Sequence, residues 1–251
     1  MDELSLIMPM AGRGSRFSKE GFELPKPLIE LDGRPFFWWA TQSVARSCRI
    51  AELVFVVLQE HVDSLGIDRR VKDLYPDATI VVTPEVTPGA AASAALGIAA
   101  LTSSHPIAVN DSDHAFAMRD MAALIAALRD GTDGALVGFR SDNPAYSYVE
   151  LESGADMKVR RTVEKEVVSP FAIAGCYFFA NKGTFDKVYQ DYLSTCSYNE
   201  LFMSGLFNGM VQDDLNVVYQ ELSRHISFGT PEELDRVKTG MLESLWQGQA
   251  S

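Results

Sequence analysis

The feature that most constrains this chain is an apolar strand pattern that runs straight into a cationic, glycine-containing turn. Residues 4–10, LSLIMPM, read as a short buried strand, and the chain then turns through Ala11-Gly12-Arg13-Gly14-Ser15-Arg16. Two glycines let the backbone approach a ligand and point successive N–H groups at one spot. Arg13, Arg16 and Lys19 add positive charge to the same region. Further on, Pro25-Lys26-Pro27 holds one lysine between two fixed φ angles, on an extended segment that cannot become helix. Together these predict a phosphate cradle with one positioned lysine.

Two standard phosphate motifs are absent. The chain has no G-x-x-x-x-G-K-[ST], and a dinucleotide fingerprint fails because Phe17 stands where its third glycine belongs. What remains is G-x-G-x-R followed by P-K-P-L. In this order and spacing the sequence resembles the nucleotidyltransferases that make nucleotide-sugars and related activated compounds, including cytidylyltransferases. The resemblance implies a three-layer α/β/α Rossmann-like fold with a mostly parallel central sheet and a small β-rich acceptor-side extension. It also implies that Arg16 and Lys26 hold a triphosphate, with Ala11, Gly12, Arg13, Gly14 and Ser15 around it.

The rest of the chain carries the pattern forward. Helix patterns at residues 36–48, 62–75, 90–101 and 119–129 alternate with strand patterns at 53–58, 78–83 and 107–109, which argues for a largely parallel sheet covered on both faces. Ligands in such sheets collect beyond the carboxyl ends of the strands. After the strand at 78–83 comes a loop ending in Gly89 and then an alanine-rich helix. Small side chains and free N–H groups there would admit a planar ring, and the alanines alternatively serve only close helix packing. The resemblance assigns Gly89, with Ala90 and Ser93, to the nucleotide base. The strand at 107–109 ends in Asn110-Asp111-Ser112-Asp113-His114, where oxygen ligands suit Mg²⁺. The family's metal-holding aspartate matches either Asp111 or Asp113; the expectation here favours Asp113, as third member of a catalytic set with Arg16 and Lys26.

Beyond residue 132 strand patterns crowd together at 135–139, 146–152, 158–168 and 172–180, followed by helices at 181–191 and 198–210 and a strand at 215–220. This divides one domain into a nucleotide-binding half, 1–132, and an acceptor-binding half, 133–251. Within the second half, Glu164-Lys165 and Gly175 resemble the family's acceptor-binding elements: the glutamate accepts from acceptor hydroxyls, the lysine meets the acceptor phosphate, and the glycine leaves space. Gly229-Thr230-Pro231-Glu232-Glu233-Leu234 matches the family's closing element, and Thr230 with Glu233 reads as a capping box. One position departs from the family. Ser227 stands where many sugar nucleotidyltransferases have a second metal-binding aspartate, and Glu200, expected on the 198–210 helix, is the candidate acid to compensate.

Composition fits this reading. A net charge of −12 argues against nucleic-acid or membrane surfaces and makes the clustered cations of the first loop more telling. No signal peptide or membrane-length apolar run is evident, so a cytoplasmic protein is expected. Cys48, Cys176 and Cys196 are odd in number and scattered, as packing thiols are. The expected partners are an NTP and a phosphorylated small molecule, most commonly a sugar 1-phosphate used for surface polysaccharides. Non-sugar acceptors such as phosphocholine or phosphoglutamine, and a catalytically silent nucleotide-binding regulator, stand as alternatives. The oligomeric state is left open, homo-oligomers included.

Overall fold

A computed structural model describes residues 3–154 and 157–247. Its first half alternates strand and helix. Strand β1 (Glu3–Met10) leads into a one-turn helix α1 (Ser15–Lys19), a 3-10 turn over Lys26–Leu28 and a minimal hairpin of β2 (Glu30–Leu31) and β3 (Arg34–Pro35). Helix α2 (Phe36–Ala45), β4 (Arg49–Leu58), α3 (Gln59–Leu65), α4 (Ile67–Leu74), β5 (Thr79–Thr83), α5 (Ala90–Ala99), β6 (Ile107–Asn110), β7 (His114–Ala117) and α6 (Met121–Arg129) follow. The second half is β8 (Gly134–Arg140), β9 (Tyr148–Leu151), β10 (Val159–Val163), β11 (Phe171–Phe179), α7 (Lys182–Thr195), α8 (Met203–Gln212), β12 (Val217–Glu221), β13 (Arg224–Ser227) and α9 (Pro231–Leu234).

Strands β5, β4, β1 and β6 are parallel neighbours in that order. Strand β11 then runs antiparallel to both β6 and β8, and β12 closes the edge parallel to β8. The β9–β10 hairpin pairs onto the start of β11 and forms the β-rich extension. From β1 the chain passes through α2 to β4 on one side, whereas α5 returns it to β6 on the other. The point between β1 and β6 is therefore the topological switch of the sheet.

Alternation along β1 explains the two-sided cover. Leu4, Leu6, Met8 and Met10 pack with Phe37 and Val44 of α2, Val71 of α4 and Ile125 of α6. Ile7 faces the opposite way, onto Ala91, Ala94 and Ile98 of α5, beside α7 and α8. A third cluster joins Phe17, Phe36 and Trp39 to Phe228, Leu242 and Leu245, tying the first loop to the C-terminal segment.

Several boundaries differ from the sequence reading. The expected 62–75 helix is two helices broken at Gly66, whose left-handed conformation (φ 61°) ends α3 and starts α4. The expected 198–210 helix begins only at Met203, because Leu201 is drawn into hydrogen bonds with Pro88 O and from Ala91 N. Glu200 thus lies in an exposed loop and not on a helix. The 158–168 strand stops at Val163, before Lys165 takes a left-handed turn (φ 55°). Strand β7 was not anticipated. It pairs with β13, placing Ser227 opposite His114. The capping box at Thr230 and Glu233 is present in full, with Pro231 in the first turn. Among the described residues no helix is long and apolar enough to cross a membrane.

Candidate active site

Two adjoining cavities open at the switch point. The larger, about 670 Å³, is walled by the 11–16 turn, Lys26, the loop from Val86 to Ala90, Ser93, Asp111, and Asn199 with Glu200. The smaller, about 180 Å³, lies between the ends of β6 and β11 and the β13–α9 turn; Tyr146, Ser147, Gly175, His225, Ser227 and Glu233 contribute to its wall. Arg16, Asp111 and Gly229 belong to both.

The first turn and the Pro-Lys-Pro segment form one unit. Gly14 adopts a left-handed conformation (φ 62°), and a Cβ there would lie 3.0 Å from Lys26 Cβ and 3.2 Å from its backbone nitrogen. Any larger residue would separate the turn from the lysine. Pro25 and Pro27 are buried while the Lys26 side chain stays 29% exposed, so the prolines anchor the backbone and leave the ammonium facing the cavity. Lys26 Nζ donates to Asp113 Oδ2 at 2.7 Å. Burial alone would lower the lysine's pKa, but the Asp113 and Asp111 carboxylates outweigh it and raise the value. Burial pushes Asp113 the other way, and the ammonium again wins, holding that carboxyl below its ordinary range. Among the described residues Asp111 has no such hydrogen bond to an ammonium. Burial first, and the Asp113 carboxylate second, push its carboxyl up to about 7.

Two carboxylates this close repel one another, and a divalent cation would relieve the strain. Among the described residues no cluster of three or more His, Cys, Asp and Glu side chains is set to hold a metal. Mg²⁺ characteristically takes one or two carboxylates and completes its shell with water and substrate phosphates, so the Asp111–Asp113 pair fits it. The loop opposite is equally ordered. Gly89 is clasped to Leu201, since Leu201 N donates to Pro88 O and Ala91 N donates to Leu201 O, each at 2.9 Å. Along α5 the small residues divide between two uses: Ala91 and Ala94 are wholly buried on the sheet, whereas Ala90 and Ser93 line the cavity.

Glu164 and Lys165 are not part of either wall. Glu164 Oε2 accepts from Ser204 Oγ at 2.8 Å and from Ser147 Oγ, which does reach the smaller cavity. Lys165 Nζ rests 4.6 Å above the Phe202 ring. Gly175 does line the smaller cavity, its carbonyl accepting from Asp111 N at 2.9 Å.

Sequence reasoning missed much of the smaller cavity. The acid beside Ser227 is Glu233: its Oε2 accepts from Ser227 Oγ (2.8 Å), Gly229 N (2.9 Å) and Thr230 N (3.2 Å), and Tyr146 OH donates to its Oε1. Gly229 brings this acid and Asp113 together, because a Cβ on it would sit 2.5 Å from Asp113 Oδ2 and 3.5 Å from Glu233 Oε2. The capping box signalled a helix start but not that its glutamate also walls a cavity. His114, 3% exposed, and His225 complete the floor. Burial lowers the His114 pKa to about 4 and holds that of His225 well below its ordinary value, so both rings are neutral.

A parallel-sheet switch point carrying a glycine turn, a positioned lysine and paired aspartates defines a nucleotide-handling α/β enzyme. The chain belongs to the nucleotidyl transferase family, whose model matches residues 5–249. It is a nucleotidyltransferase. Its structure is similar to that of a nucleoside-diphosphate-sugar pyrophosphorylase from Vibrio cholerae RC9, with 25% identity, a TM-score of 0.77, and 92% of this chain and 98% of that one covered. It is also similar to the inositol-1-phosphate CTP transferase of T. maritima, with 20% identity, a TM-score of 0.76, and 100% and 98% covered. A UDP-glucose pyrophosphorylase complexed with UDP-glucose shares the fold at 14% identity and a TM-score of 0.71, over 92% and 95% of the two chains. No curated protein sequence matches the chain significantly.

Proposed function

We propose that this enzyme transfers a nucleoside monophosphate from an NTP to a sugar 1-phosphate, releasing pyrophosphate. The observation that carries the reading is the pair of unequal cavities meeting at Arg16 and Asp111. The larger suits a nucleoside triphosphate, its base against Gly89, Ala90 and Ser93 and its phosphates on the 11–16 turn. The smaller suits the acceptor, delivered by Gly175 and the β13–α9 turn.

In this account an acceptor phosphate oxygen attacks the α-phosphorus in line. The new P–O bond forms as the bond to the β-phosphate bridging oxygen breaks, and the negative charge departs with pyrophosphate. No protein nucleophile is required, since alignment and charge neutralisation supply the acceleration. Lys26 exchanges its Asp113 partner for phosphate oxygens, and Arg16, at the junction, meets the charge shared by donor and acceptor. Asp113 and Asp111 would hold Mg²⁺, which supplies electrostatic stabilisation of the phosphoryl oxygens when bound.

Pyrophosphate release tests the proposal. Incubating the protein with each of the four common NTPs, Mg²⁺ and a panel of sugar 1-phosphates should give release for one pairing. Release with none of the sugar phosphates but with phosphocholine would overturn the acceptor assignment.

A further inference from the structure

Three hydroxyl groups of the smaller cavity are already engaged as donors: Tyr146 and Ser227 donate to Glu233, and Ser147 donates to Glu164. Among the described residues His114 Nδ1 and His225 Nε2 are buried and have no hydrogen-bond partner. These two rings lie 5.4 Å apart between centroids and both line the cavity.

The network fixes the chemistry of the His114 nitrogen. Asn110 Nδ2 donates to Ala40 O at 3.0 Å, which turns Asn110 Oδ1 towards His114 Nε2 at 2.9 Å. An amide oxygen can only accept, so the single proton of this buried, neutral ring is assigned to Nε2 and Nδ1 carries a lone pair. A buried acceptor left unpaired costs about 1–3 kcal/mol, so a ligand that donates to it gains affinity and one that cannot forfeits it. The β7–β13 pairing and the stacking of His225 on Phe139, 4.0 Å between centroids, hold both rings in place.

We propose that His114 reads the acceptor: its Nδ1 accepts a hydrogen bond from an acceptor hydroxyl, with His225 flanking the same group. The smaller cavity is thereby specific for a polyhydroxylated phosphate, a sugar or cyclitol phosphate, and discriminates against a quaternary-ammonium phosphate, which has no N–H or O–H to give. This rests on the smaller cavity being the acceptor site of the proposed activity.

Two measurements test it. In steady-state kinetics with the acceptor found by pyrophosphate release, His114→Phe keeps a ring but removes the lone pair, and should raise acceptor KM roughly tenfold while leaving NTP KM unchanged. One deoxy analogue of the acceptor should be insensitive to the substitution. An equal loss on every analogue, or parallel changes in both KM values, would assign His114 a purely structural role and overturn the proposal; His225→Phe provides the same comparison should His114→Phe not fold. The second measurement needs no turnover. In wild-type protein labelled with ¹⁵N-histidine, the unprotonated His114 Nδ1 resonance should move on adding glucose 1-phosphate or inositol 1-phosphate and stay in place with phosphocholine. A resonance unmoved by both polyol phosphates overturns the inference. Absence of pyrophosphate release together with a moving His114 resonance would instead count against the proposed activity alone.

Discussion

Lys26 and Asp113, 87 residues apart in the chain, meet with Nζ 2.7 Å from Oδ2 at the junction of the two cavities. The contact joins the stiff Pro-Lys-Pro segment to the end of the central strand β6. Replacing Lys26 by Ala should lower kcat roughly a hundredfold, about 3 kcal/mol of barrier, because a positioned cation at a phosphoryl site acts mainly on the transition state. Thermal unfolding should change little by comparison, since the pair retains solvent contact. Near-normal kcat in the variant would remove Lys26 from the site.

Asp113→Asn should abolish Mg²⁺-dependent activity, whereas Asp111→Asn should leave a measurable fraction. The opposite ranking, read from Mg²⁺ titrations of turnover, would make Asp111 the principal ligand.

Asp111 also gives a pH dependence with a definite sign. Its carboxyl is pushed up to about 7 in the folded protein, by burial first and by Asp113 second. The unfolded chain has lost this proton well below that pH, so folding binds a proton in between. The group's stabilising contribution is therefore full below its ordinary carboxylate value and is lost as pH rises through about 7. In buffer free of divalent ions, Asp111→Asn should raise the melting temperature at about pH 8, with the gain shrinking towards about pH 4. A pH-independent difference would contradict the assigned shift.

Ser227→Ala should retain most activity. Glu233 keeps three other donors, from Tyr146, Gly229 and Thr230, when the serine hydroxyl is lost. Glu233→Ala removes the acceptor for all four and the second half of the capping box. It should cost about 1–3 kcal/mol of folding stability and raise the acceptor KM. Loss of turnover in Ser227→Ala with the fold intact would give the hydroxyl a direct part in the chemistry.

The fold of the first half and the walls of the larger cavity were legible in the sequence because their determinants are local. The run 4–10, the turn, and Pro25-Lys26-Pro27 each declare their backbone state through residue type, and the helix–strand alternation to residue 129 dictates a parallel sheet. The smaller cavity was harder to read, because its wall is made by long-range pairing. Strand β7 is only four residues long and becomes a strand through β13, more than a hundred positions later. His114 and His225 therefore stood as isolated residues, and Glu233 as a cap. The misplaced helix start at 198 has the same origin: Leu201 is claimed by the Gly89 loop, a contact no local pattern announces.

The most direct test of the account follows the α-phosphate itself. With α-³²P-labelled NTP, Mg²⁺ and the active sugar 1-phosphate, label should pass into a nucleotide-sugar in step with pyrophosphate release, one for one, and Lys26→Ala should slow both equally. Label that stays in free NMP, or pyrophosphate that appears without acceptor, would mean that water and not a second substrate attacks, and would contradict the assignment of the smaller cavity to the acceptor.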